Sequence, residues 1–387
     1  MTNKKIKFSS QNKSDFVKEL RETVKDYFEK NNISKFGNAN IVAKSALMIS
    51  IYFIPYVLMV SGIVYSLPGI LACWIFMGVG AAGIGLVLMH DANHGTFSKR
   101  PGLNKWLSKS LYFLGGYPPT WRYQHNTLHH GFTNIDGQDE DINSIGLLRF
   151  SPHQPLHKIH RLQQYYAWFF YGLMTFSWVT MKDFKQLSSF KKRNAPLSST
   201  KNYNQLLMDL ILSKVLYYIV VLVIPLIVLP IAWYWTVVFF FAMLFVSGLI
   251  LSIIFQTAHV MPTSEFPLPD ENGYVENNWV VHQLFTTTNY APKSRIFSWL
   301  VGGLNYQVEH HLFPNVSHVH YRKISAIVKN LTQKYNLPYY VQANFFTAIY
   351  SHFRMLKILG KQQQLILLPD SKINRLNTNK ILSGSFN

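Results

Sequence analysis

Apolar residues gather into four long runs, at about 43–66, 69–89, 207–229 and 231–258, with polar stretches between them. A helix needs roughly 20 apolar residues to cross a hydrocarbon layer about 30 Å thick, so each run predicts a membrane span. The runs are paired. Leu67-Pro68 alone separates the first two and Pro230 the last two, which predicts two tight helical hairpins. Ahead of them, Phe16, Val17, Leu20, Val24, Tyr27 and Phe28 recur at helical spacing in a polar stretch. That pattern predicts an amphipathic helix on a membrane surface or against the rest of the protein. Between the pairs, Tyr165 to Val179 is rich in aromatics but short for a span, and is expected at the interface or partly embedded.

Charge orients the runs. Of the 37 Lys and Arg, ten fall in residues 1–44, fourteen in 90–206 and twelve from 259 onward; the last is Lys214, near the start of the third run, and the two connections carry none. Basic loops stay on the cytoplasmic side, so both termini and the large middle loop are expected there. A formal charge of +19 suits an anionic membrane surface. No nucleic-acid motif accompanies it, so nucleic acid is not an expected partner. The one cysteine, Cys73, lies inside an apolar run, which excludes a disulfide framework. The polar N-terminus lacks the pattern of a cleavable signal peptide. The expected protein is all-α and integral to the membrane. It comprises a cytoplasmic amphipathic segment over 1–42, a main domain over 43–350 with four transmembrane helices in two hairpins under a cytoplasmic helical cap, and a cytoplasmic basic tail over 351–387.

Histidine supplies the chemistry. Seven of the 15 histidines fall in three clusters, His90-Asp-Ala-Asn-His94, His125-Asn-Thr-Leu-His129-His130 and Gln307-Val-Glu-His310-His311. Residues four apart share a helix face, which pairs His90 with His94 and His125 with His129. Neutral imidazole is the commonest metal ligand, and seven exceed what one mononuclear site uses. The second run ends directly into His90 and the fourth into His259, so the clusters and His259 converge on one face of the membrane. Zinc is satisfied by four ligands, and copper is chemically open. Iron tolerates more imidazoles, and two irons share the electrons that split dioxygen. The expected ligands of two iron ions are His90, His94, His125, His129, His130, His259, Gln307, His310 and His311. Asp91, Asn93 and Glu309 are expected to orient imidazoles by accepting their other N–H, with His282, Asp139 and Asp141 as further neighbours. No catalytic side chain beyond the ligands is expected. Trp121, Tyr123, Trp279 and Tyr306 lie near the clusters in sequence, as tunnel walls or simply as core.

These motifs resemble the three histidine boxes of the membrane fatty acid desaturase family, over roughly residues 40–350. Gln307 at the head of the third box resembles the front-end subgroup, and Thr133 to Ile142 is similar to bacterial acyl-CoA or linoleoyl-CoA desaturase-like members. The resemblance implies a cytoplasmic diiron cap, an acyl-CoA or acyl-lipid substrate in a narrow tunnel, dioxygen as oxidant and two electrons from a carrier. Many eukaryotic front-end members carry a fused cytochrome b5 domain with a His-Pro-Gly-Gly motif. That motif is missing here, so the expected donor is a separate ferredoxin or cytochrome b5. Lys191-Lys192-Arg193 offers a basic surface to an acidic carrier or to anionic headgroups. A hydroxylase or other oxygenase on the same site is the nearest alternative. A non-catalytic metal-binding or transport protein is a different class, and calls for ionisable groups within the spans, which hold almost none.

Overall fold

The computed structural model describes residues 6–9, 13–143 and 146–361. Four helices within it are long and apolar enough to cross a membrane: Ala39–Val60, Leu67–Asn93, Tyr203–Val228 and Trp233–His259. The second is the most buried of the four and packs against both the first and the fourth. Two glycines permit this. A Cβ at Gly80 would lie 2.8 Å from the backbone carbon of Ile51 in the first span, and one at Gly78 would lie 2.7 Å from the carbonyl oxygen of Met243 in the fourth. Close backbone approach through small residues is how membrane helices gain packing energy where lipid supplies no hydrophobic drive.

The spans differ in their ends from the expected runs. The first helix stops at Val60, because Ser61–Ser66 form the connection and Gly62 takes a left-handed φ of 77° there. Leu67-Pro68 is thus the first turn of the second helix, where a proline's missing N–H costs nothing. Asn202 starts the third helix, its side chain accepting from Gln205 N at 3.0 Å while Gln205 returns a bond to the Asn202 amide. The last connection is Leu229–Ala232, and the fourth helix runs on through His259.

The second and fourth spans end among the histidine rings, His90 beside His310 and His259 beside His311. Ser14–Lys30 buries Phe16, Leu20 and Val24 against the helix Tyr321–Lys334, so of the two expected placements it takes the one against the protein body. The aromatic segment forms the helices Gln163–Gly172 and Met174–Ser177, which lie along the fourth span. Thr175 bonds the carbonyl of Leu244, well inside that span, and Ser252 Oγ donates to Tyr171 O at 3.3 Å. The helix Phe345–Leu359 crosses the expected domain boundary at 350. It packs on the fourth span through buried His352, whose Nδ1 lies 2.8 Å from Val260 O and whose Nε2 lies 2.6 Å from Tyr171 OH. Residues 362–387 of the expected tail lie outside the described residues. Strand content is minor: Lys7–Phe8 pairs in parallel with Tyr274–Val275, and Thr288–Tyr290 with Tyr340–Gln342.

One ionic contact reaches into the third span. Lys214, nearly fully buried, places Nζ 2.6 Å from Asp183 Oδ2 and 2.8 Å from Trp178 O, and also bonds Gly115 O. The other Asp183 oxygen accepts from Thr120 Oγ1 at 2.7 Å. Thr120 lies in the short helix Pro118–Arg122, which leads into the second histidine cluster.

Candidate metal centre

The second span stays helical through His90–Asn93, with the rings of His90 and His94 4.7 Å apart. The second cluster departs from α-helical spacing. Tyr123–His129 is π-helical, and His130 N donates to His125 O, five residues back, at 3.0 Å. A π turn is wider by one residue and re-aims side chains, commonly at functional sites. Here it brings His130 over His125, with their Nε2 atoms 3.3 Å apart. His129 keeps the expected face with His125, their rings stacked 5.3 Å apart, and also reaches His259 and His311, at ring separations of 4.7 and 4.9 Å. The short helix Gln307–Leu312 splits the third cluster. His310 packs 4.6 Å from His90 and His311 packs 4.6 Å from His259, and both lie within 4.5 Å of His130.

Two groups of imidazoles result, with a third between them. His90, His94, His125 and His310 bring ring nitrogens within 4.8 Å of one another, as do His129, His259 and His311, and His130, His310 and His311 bridge the two sets. Tetrahedral nitrogens about 2.1 Å from one metal lie about 3.4 Å apart, so the rings of either set are near enough to converge on an ion with modest side-chain movement. The Nε2 atoms of His94, His259, His310 and His311, both nitrogens of His90, and both amide atoms of Gln307 are buried with no protein hydrogen-bond partner. A buried polar atom left unpaired costs about 1–3 kcal/mol. So many, aimed at one place, form a set of donors that could hold metal ions. Gln307 lies beside His259 of the second set.

The opposite ring nitrogens are tied down. His129 Nδ1 lies 3.1 and 3.2 Å from the two Asp139 oxygens and 3.4 Å from Asp141. His311 Nδ1 meets Gln283 Oε1 at 2.8 Å, His310 Nδ1 meets Tyr321 OH at 3.1 Å, and His259 Nδ1 meets Thr286 O at 3.3 Å. Such contacts fix ring orientation and tautomer. Burial and mutual repulsion hold His94, His125, His130, His310 and His311 well below the usual imidazole range, so these rings are neutral and able to ligate. Burial acts the same way on His129, but the carboxylates of Asp139 and Asp141 outweigh it and push that imidazole up to about 9.

Several expected neighbours point elsewhere. Glu309 accepts from Asn289 Nδ2 and Tyr339 OH, each at 2.8 Å, on the far side of its helix. Asp91 accepts from Ser317 Oγ at 2.7 Å and lies 3.0 Å from His318 Nδ1, but 3.7 Å from His90 Nδ1. Asn93 donates to Met89 O in its own helix, and His282 Nε2 meets Thr133 O at 2.8 Å. Gln283, the residue after His282, does the work expected of that histidine. It is four residues beyond Trp279 on the same face of an apolar helix, and a buried amide at that spacing was the available signal. Of the four aromatics, Trp121 stacks on His125 at 4.4 Å. Tyr123 packs on Phe190, Tyr306 bonds Pro292 O, and Trp279 approaches from outside. Phe255 of the fourth span, not expected, lies 6.3 Å from His125 and 6.5 Å from His90.

Known proteins carry the same organisation. Residues 66–343 match the family model described as fatty acid desaturase. The sn-1 linoleoyl-lipid 6-desaturase of Synechocystis sp. is 31% identical over 93% of this chain and 99% of its own length. The acyl-lipid (8-3)-desaturase of Physcomitrium patens is 32% identical over 92% of this chain and 74% of its own. That of Mortierella alpina is 33% identical over 89% and 78%. With the histidine boxes brought together at the ends of four membrane helices, the chain belongs to the fatty acid desaturase family.

Proposed function

We propose that the protein introduces a double bond into the acyl chain of a membrane lipid, at a centre of two iron ions. The observation that carries this reading is the pair of imidazole sets bridged by His130, His310 and His311. His90, His94, His125 and His310 would hold one ion and His129, His259, His311 and Gln307 the other, with His130 between them. When bound, the irons supply the dioxygen chemistry that takes hydrogen from an unactivated C–H bond. In balance, –CH2–CH2– with O2, two electrons and two protons gives –CH=CH– and two waters. The chain's own part is to place and dry the substrate. Trp121 and Phe255 flank His90 and His125 and wall the approach from the spans with apolar surface, which favours an acyl chain and excludes water.

The names of the relatives favour an acyl group esterified in a lipid over an acyl-CoA, and a chain of the linoleoyl type that already bears a double bond. Electrons come from a one-electron carrier of the ferredoxin or cytochrome b5 type. The excess of Lys and Arg outside the two connections supports a cytoplasmic location for both termini and for the centre. Expression in cells supplied with linoleate, followed by mass spectrometry of lipids and of their double-bond positions, tests the reaction. A new double bond in glycerolipid is expected. A hydroxylated product shifts the assignment to the oxygenase alternative, and unchanged lipids from protein with a full iron content overturn the function.

A further inference from the structure

We infer that Trp279 is the point at which electrons enter the metal centre. This rests on the reading of His130 as a ligand and of the donor as a separate carrier. Trp279 opens the helix Trp279–Thr286 and is only partly buried. One side of its indole lines a surface cleft of about 610 Å³ between that helix and Ser14–Lys30, with Phe8, Lys18 and Arg21 on the facing wall. The other side reaches inward, where Nε1 donates to His130 O at 2.9 Å. One hydrogen bond thus connects an aromatic ring at the surface to the backbone of the imidazole that lies between the two sets. Electronic coupling through bonds and short hydrogen bonds exceeds coupling across an open gap, so this contact gives electrons a bonded route inward from the cleft.

The surroundings fix the ring in that pose. Gln283, one turn on, donates Nε2 to the same His130 carbonyl at 3.2 Å while its Oε1 meets His311 Nδ1. The helix carrying Trp279 therefore touches both the intermediate His130 and, through His311, the second imidazole set. In the redox step the carrier, an iron–sulfur or haem protein, loses one electron per encounter and the iron centre gains it. Two encounters supply the two electrons that reaction with dioxygen consumes. Lys18 and Arg21, with Glu22 as the one carboxylate among them, leave the cleft lining net basic, which suits a carrier with an acidic docking face.

The test uses the full chain in nanodiscs, loaded with iron. Reduction of the centre is followed optically by stopped flow. The reductants are dithionite, reduced plant-type ferredoxin and the reduced soluble domain of cytochrome b5. Trp279→Leu removes the ring, and Trp279→Phe keeps an aromatic in the cleft without the N–H. The expected result is an unchanged dithionite rate in both variants, with carrier-driven reduction several-fold slower in Trp279→Phe and slower still in Trp279→Leu. Binding of the effective carrier to metal-free protein should be unchanged by Trp279→Phe and weakened by Lys18→Glu with Arg21→Glu. Carrier-driven rates at the wild-type value in both tryptophan variants overturn the inference and leave the carrier reading standing. A wild-type centre that dithionite reduces and neither carrier reduces overturns the carrier reading itself, and the inference with it.

Discussion

Asp139 grips His129 with both carboxylate oxygens, 3.1 and 3.2 Å from Nδ1, and is itself fixed by the backbone amides of Asn134 and Asp141, each at 2.9 Å. The carboxylate is fully buried, and ten residues of chain loop back from the second histidine box to deliver it. Asp139 and Asp141, expected beside the ligands, make this acidic loop a clamp on one imidazole.

Asp139→Asn keeps the shape and removes the charge. Losing a carboxylate behind a ligating imidazole typically costs about 10- to 100-fold in metal affinity or activity. Iron content is expected to fall toward one ion per chain with turnover reduced in that range, measured by elemental analysis and lipid product formation. Full iron with wild-type turnover would show that the clamp is dispensable.

His94→Ala, His129→Ala and His310→Ala are each expected to abolish turnover while the protein still inserts and accumulates. The first and third act on one imidazole set and the second on the other, so a single surviving set is insufficient. Membrane fractionation and lipid analysis check the two halves of this statement. Any of the three with substantial activity leaves the ligand set.

Gln307 is buried with neither amide atom paired to protein. Gln307→Ala is expected to remove most turnover yet leave the thermal midpoint unchanged or higher, since an unpaired buried amide costs stability rather than adding it. Gln307→His separates the need for a ligand from the need for an amide. Wild-type turnover in the alanine variant contradicts the assignment.

Lys214→Met leaves the Asp183 carboxylate buried with only Thr120, the situation in which breaking a buried pair costs about 3–5 kcal/mol. Replacing both, as Lys214→Met with Asp183→Leu, is expected to recover most of that loss. Thermal unfolding in detergent compares the single variant with the double. An equal loss in both shows that the pair is not what holds the third span to the cap.

The spans and boxes were legible because their signals are local. Hydropathy over twenty residues marks a helix, and four-residue histidine spacing marks a face. Legibility ends where partners are far apart in sequence. Asp91 adjoins His90, yet its carboxylate goes to Ser317 and His318, more than two hundred residues on. Glu309 adjoins His310 and turns to Asn289 and Tyr339. The π register at Tyr123–His129 also escapes a reading based on α-helical spacing, since His125-Asn-Thr-Leu-His129-His130 suits either turn. The wider turn sets His130 against His310 and His311, from a helix much later in the chain. Helix ends were misjudged at Leu67-Pro68 because proline marks a helix start as readily as a break.

Lys214 also bears on how the chain is made. A lysine midway along a membrane helix resists insertion by about 2.5–3.5 kcal/mol, yet the third span carries one. Its neutralising carboxylate, Asp183, lies 31 positions earlier and so leaves the ribosome first. The segment that cradles the second histidine box is therefore already synthesised, and ready to receive the ammonium, when the third span enters the bilayer. The third span thus enters the bilayer with the carboxylate that neutralises its lysine already made, while the third histidine box, at Gln307–His311, is still to be synthesised.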